Sequence, residues 1–166
     1  MLKGDILRVE TNRAVFEIPL DKRIIILQCD TLEGEEFLEK LLFDKYELAK
    51  YSEDVDSCFA HIAKDIKYYV EDTELDLIYT NNGTICSAFY NGELDKLLSF
   101  IDNSTKHFII QSRLSYLNFK NQSEVGYYVF DVDASDEKDI IRLKPVENQY
   151  TIRGYLDDLR LVHGVE

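Results

Sequence analysis

Cys58 and His61 stand three residues apart in the segment SEDVDSCFAHIAKDIKYYVED, a spacing at which two side chains meet on one helix face. A thiol beside an imidazole is the arrangement that activates a cysteine nucleophile. Cys58 also falls on the apolar stripe of that segment, where burial keeps a thiol protonated and inert, and His61 can pair with Asp65 a turn further on. The pair reads as structural. The stretch DVDASDEKDIIR sets Asp131, Asp133, Ser135 and Glu137 at positions one, three, five and seven of a calcium loop. It then has Asp136 where the loop needs glycine and Arg142 where it needs a bidentate glutamate, so an acidic β-turn is the better reading.

Other chemistries lack even a partial match. There is no CxxC or HExxH spacing, and His61, His107 and His163 lie in scattered contexts, which argues against zinc. The glycines are isolated from one another, so no phosphate-cradling loop is spelled out, and no GxSxG elbow occurs. Carboxylates such as Asp157-Asp158 or Asp131 and Asp133 do acid–base work only in a pocket that raises one pKa. The expectation is a protein that is not an enzyme and carries no cofactor or metal.

Charge and tyrosine are the remaining chemical signals. A net charge of −13 disfavours direct binding to nucleic acid or to an anionic membrane, and favours a basic protein partner. The charge is uneven: residues 31–80 hold five lysines against fourteen Asp and Glu, whereas the first thirty residues balance at five and five. There are eleven tyrosines and no tryptophan, with adjacent pairs at Tyr68-Tyr69 and Tyr127-Tyr128 that must each send one ring toward a boundary. Tyrosine beside carboxylates suits the docking of Lys- and Arg-bearing surfaces. The plainer alternative is that amphipathic helices need polar outer faces and sheets use tyrosine on half-exposed faces.

Val55, Cys58, Phe59, Ile62, Ile66, Tyr69 and Val70 recur at helical spacing, so a helix is expected over 52–72 with Ser52 as N-cap. Its far end, EDTE, has no glycine cap and places carboxylates where the helix dipole disfavours them. Before it, Phe37, Leu38, Leu41, Leu42, Tyr46, Leu48 and Ala49 define another helix capped by Asp30 or Thr31, and the two are expected to form an αα-hairpin or one bent helix. The first thirty residues read as three antiparallel strands, the run Arg23 to Cys29 being central and buried on both faces. Asn81-Asn82-Gly83 between apolar runs predicts a hairpin of strands at 75–80 and 84–90, followed by a short helix from Glu93 to Ile101. Strands return from Lys106, and residues 147–166 suit neither helix nor strand cleanly. The expected fold is a single α+β domain over 1–166, an antiparallel β-meander and hairpins packed on an αα-hairpin plus one short helix. Cys29, Cys58 and Cys86 are an odd set with no disulfide framework, and there is no apolar run long enough for a membrane span and no signal-like N-terminus, so a cytoplasmic location is expected.

In general type, a small acidic α+β chain without catalytic motifs looks like bacterial toxin-neutralising immunity proteins and phage-encoded inhibitors of host enzymes. That resemblance implies a binding and inhibitory protein that docks a basic partner such as a nuclease toxin or nucleic-acid-handling enzyme. The contact residues expected are Glu35, Glu36, Glu39, Glu47, Tyr51, Glu53, Asp54 and Asp56. A non-catalytic scaffold or regulatory subunit is the alternative, with a sheet edge or an apolar helix face as its contact. An enzyme comes third, and would need a pocket that joins His107, His163 or Cys86 to a carboxylate.

Overall fold

A computed structural model describes residues 6–10, 15–19, 21–29, 32–53, 61–114, 117–133 and 140–146. In chain order these form β1 (Ile6–Glu10), β2 (Val15–Pro19), β3 (Ile24–Cys29), α1 (Leu32–Lys45), β4 (Ala49–Tyr51), α2 (Ile62–Asp72), β5 (Leu77–Thr80), α3 (Asn82–Tyr90), α4 (Leu94–Asn103), β6 (His107–Gln111), a 3-10 turn (Gln122–Glu124), β7 (Val125–Asp133) and β8 (Ile140–Val146). The run of isoleucines in β3 is buried on both faces, as its composition predicts. Its neighbours are parallel, β6 on one side and β7 on the other.

The sheet order is β4-β5-β6-β3-β7-β8, with five strands parallel and β8 antiparallel to β7 at one edge. This overturns the expected antiparallel meander: β1 and β2 do pair antiparallel, but as a two-stranded sheet of their own. The architecture is α/β. The apolar runs IIIL, LIYT and HFII are continuous rather than alternating, and that is what a strand covered by helices on both faces requires. Helices between successive strands are then crossovers rather than a separate layer.

Side-chain parity sorts the core into two. Ile24, Ile26, Ile78, Phe108 and Ile110 face α2, α3 and α4, while Ile25, Leu27, Tyr79 and Ile109 face Leu38 and Leu42 of α1. Each buried isoleucine of β3 contributes about 1.5–3 kcal/mol by leaving water. The αα-hairpin is likewise overturned, because β4 intervenes and the two helices lie on opposite faces of the sheet.

The long helix is shorter among the described residues than its periodicity predicts. It begins at Ile62 with His61 as N-cap, not at Ser52, and Val55, Cys58 and Phe59 fall outside the described residues. Its first N–H groups receive a carboxylate across space: Glu93, itself buried, accepts from Ile62 N at 2.7 Å. At the other end Lys106 does what a glycine cap would have done. Its ammonium donates to the carbonyls of Val70, Thr73 and Leu75 at 2.8, 2.6 and 3.0 Å.

The expected Asn-Asn-Gly hairpin is instead the start of α3. Asn81 is the N-cap, its side-chain oxygen accepting from Thr84 N at 3.0 Å and from Thr84 Oγ1 at 2.8 Å. With β5 already hydrogen-bonded to β4 and β6, no edge was left for a hairpin partner. No helix among the described residues is long and apolar enough to cross a membrane.

Candidate functional site

Parallel strands end together, and polar residues collect where these do. Gln28 stands next to last in β3, Thr80 closes β5 with Asn81 directly after it, Gln111 closes β6, and Ser112 and Arg113 follow. The chain leaving β3 covers one face as α1, whereas Leu117 and Phe119, beyond β6, pack on the other face. The carboxyl ends of β3 and β6 therefore form a topological switch point, the place where open α/β sheets present a crevice.

Glu35, in the first turns of α1, is the hub. It is buried, and its carboxylate accepts from the backbone N–H of Asn82 at 3.1 Å and from Arg113 Nη2 at 3.1 Å. The backbone N–H of Arg113 donates to Asn82 Oδ1 at 2.7 Å, so α1, α3 and the end of β6 are tied by two side chains. Beneath them the Gln111 amide donates to the Glu35 carbonyl at 2.7 Å and to the Tyr79 hydroxyl at 3.1 Å. Burial first, then the charge of Glu39, pushes the Tyr79 hydroxyl well above its ordinary pKa. Tyr79 is a fixed neutral post.

Beside this network lies a pocket of about 140 Å³ walled by Glu35, Glu36 and Glu39 of α1, Lys50 of β4, Tyr79 of β5 and Asn81, with Leu32 at its rim. Lys50 Nζ sits 2.9 Å from Glu39 Oε1 and 5.9 Å from the centre of the Phe43 ring. A second polar knot adjoins it through Asn81. The Tyr51 hydroxyl donates to Glu53 Oε1 at 2.8 Å, and Glu53 N donates to Thr84 Oγ1 at 3.1 Å. Burial, with the neighbouring Glu53, raises the Tyr51 hydroxyl as well.

The expected contact residues separate into three groups. Glu35, Glu36 and Glu39 converge on the pocket, but Glu35 is spent on Arg113 and Asn82, and Glu39 is paired with Lys50. Tyr51 and Glu53 bond each other, and Glu47 is exposed in the turn between α1 and β4. Asp54 and Asp56 lie outside the described residues. Of the α1 carboxylates expected to form one open acidic face, only Glu36 is left exposed in the pocket wall.

Asn81, Asn82, Gln111, Arg113 and Lys50 escaped sequence reasoning. Their signal is a polar residue set immediately after an apolar run, as in IIILQ, LIYTNN and FIIQSR. It can be read only once the strands are known to be parallel, because only then do all the run ends meet at one edge. Of the residues an enzyme would need, Cys86 lies within reach of the Glu35 charge. His107 opens β6 at the opposite end of the sheet, His163 lies outside the described residues, and burial pushes the Cys86 thiol up despite the opposing pull of Asn82 and Arg113. Among the described residues no three His, Cys, Asp or Glu side chains group to hold a metal ion. No protein-family model, curated protein or solved structure matches this chain.

Proposed function

We propose that the chain is a non-catalytic binding protein whose partner is a basic protein, with the acid-walled pocket at the carboxyl end of the sheet at the centre of the contact. The observation that carries this reading is the convergence of Glu35, Glu36 and Glu39 on one concavity at the switch edge. A net charge of −13 would steer a positive partner toward the molecule, and a pocket gives the encounter a place to lock. An inhibitory role toward a nuclease toxin or nucleic-acid-handling enzyme fits the same chemistry, since such proteins carry the basic surfaces that bind phosphate.

Glu35 cannot serve as a free contact in this arrangement, because its carboxylate already holds Asn82 and Arg113. Reversing its charge would bury a lysine against an arginine and damage the fold. Glu36 is the residue to reverse. With the partner recovered from the native cell, Glu36→Lys should slow association markedly, and rising salt should slow the wild-type association in the same way. A partner whose association rate is indifferent both to salt and to Glu36→Lys would overturn the reading.

A further inference from the structure

The dipeptide Asn-Gly stands at both ends of α3, as Asn82-Gly83 in its first turn and Asn91-Gly92 just past its last. Asparagine is thermolabile, and most so before glycine, which has no side chain to keep its backbone nitrogen away from the carboxamide. The fold treats the two pairs unequally. Asn82 is buried, its N–H donating to Glu35 at 3.1 Å and its Oδ1 accepting from the Arg113 N–H at 2.7 Å. Gly83 is wedged against main chain, the Glu53 carbonyl oxygen, with no room for even a Cβ. Asn91 is half-buried and Gly92 exposed, at φ +71° with open space where a Cβ would stand. What fastens this second pair is the end of a helix. The Gly92 N–H donates to the Phe89 carbonyl at 3.2 Å, the Glu93 N–H to the Ala88 carbonyl at 2.8 Å, and Asn91 Nδ2 to the Ser87 carbonyl at 2.8 Å. Helix ends open locally at far lower cost than a buried hub.

We propose that Asn91 is a self-modifying site, the Asn-Gly asparagine at which the folded protein deamidates, and that the change unfastens the start of α2. The Gly92 nitrogen loses its proton and bonds to Asn91 Cγ; the Cγ–Nδ2 bond breaks, and Nδ2 leaves as ammonia with that proton. Solvent water then opens the cyclic imide, at Cγ to give aspartate or at the main-chain carbonyl to give isoaspartate. Nothing is oxidised or reduced. Both products lose the amide donor to the Ser87 carbonyl and put a carboxylate at the end of α3, where the helix dipole disfavours it. Isoaspartate also adds a methylene to the main chain ahead of Gly92, which moves Glu93 out of register with the Ala88 carbonyl. Glu93 is the buried carboxylate that accepts from Ile62 N at 2.7 Å, so the cap on α2 goes with it. The inference is independent of the docking reading, because Asn91, Gly92 and Glu93 do not line the acid-walled pocket.

The test is to age the whole chain in mildly alkaline buffer, once folded and once unfolded in guanidinium chloride, and to follow the two Asn-Gly peptides separately by isotope-resolved mass spectrometry. Labelling with an isoaspartyl methyltransferase identifies the isoaspartate. Unfolded, both sites should deamidate at similar rates, since the dipeptide is the same. Folded, Asn91 should outrun Asn82 by at least about tenfold, which corresponds to about 1.4 kcal/mol of extra opening cost at Asn82. Hydrogen exchange at the Ile62 amide should then be several-fold faster in aged protein carrying isoaspartate than in fresh protein. Asn91→Gln, whose longer side chain closes the ring far more slowly, should age without that acceleration. Equal rates at the two sites in the folded chain, or an Asn91 as fully protected as Asn82, would overturn the site. Unchanged Ile62 exchange in the isoaspartate form, or equal acceleration in aged Asn91→Gln, would overturn its link to α2.

Discussion

A Cβ built on Gly83 would lie 1.9 Å from the backbone carbonyl oxygen of Glu53. The obstacle is main chain, held by Asn81 Nδ2 on its oxygen and by Thr84 Oγ1 on its N–H, so it cannot swing aside like a side-chain end. Gly83→Ala is therefore expected to push α3 off the end of β4 and to lower stability by about 1–3 kcal/mol, the usual cost of overpacking. A urea melt should show the midpoint falling with an unchanged slope; an unchanged midpoint would mean that α3 and residues 51–53 do not touch as described. The same three residues show why the site was only half legible. Asn-Asn-Gly serves a hairpin turn and a helix start equally well, since asparagine caps helices as readily as it turns and glycine permits close approach as readily as positive φ. The choice was made by β4 and β6, which already occupied both edges of β5. Glu35 teaches the converse. Its residue type and its place on a polar helix face marked it as a surface carboxylate, and only the distant Asn82 and Arg113 make it a buried hub.

At the scale of elements, α2 is held from outside at both termini. Glu93 supplies the negative charge at its start and Lys106 the donors at its end, both from elements later in the chain. Lys106→Met keeps the aliphatic stem and removes the hydrogen bonds to the Val70, Thr73 and Leu75 carbonyls. The expected loss is about 1–2 kcal/mol, below the full figure for charged hydrogen bonds because the site is only partly buried. Amide exchange should accelerate in the last turn, at Thr73 above all, whose N–H bonds to the Tyr69 carbonyl at 3.2 Å. Acceleration spread evenly over α2 and α4 would show instead that the lysine acts through packing. Helical period made α1, α2 and α4 readable, and β-branched runs made β3, β6, β7 and β8 readable. Pairing was not, because hydrophobic runs tell a strand that it is buried without telling it which neighbour runs beside it. The three residues of β4 are too few to show any alternation, and without β4 the two flanking helices look contiguous.

Over the whole molecule, three tyrosines on three strands, Tyr51 of β4, Tyr79 of β5 and Tyr128 of β7, sit in surroundings that favour the neutral phenol. Burial is the first cause for each, and it pushes Tyr128 up to about 12 from its ordinary 10.0. A folded-state pKa above the unfolded one means that the native state keeps its proton longer. Stability is then undiminished below pH 10 and is lost as pH rises toward the folded value, because the unfolded chain ionises first. Tyr128 alone should cost about 2 kcal/mol across that interval. The alkaline increase in net negative charge acts in the same direction, but it is long-ranged and screened by salt, whereas the phenol effect is local and is not. Urea midpoints measured in high salt from pH 10 to 12 should therefore still fall, in step with the buried part of the phenolate absorbance. Tyr128→Phe should flatten part of that fall without altering the midpoint trend below pH 10. A fall that high salt removes completely, with Tyr128→Phe indistinguishable from wild type, would assign alkaline instability to bulk charge. It would also leave the two-faced burial of this sheet without its expected signature.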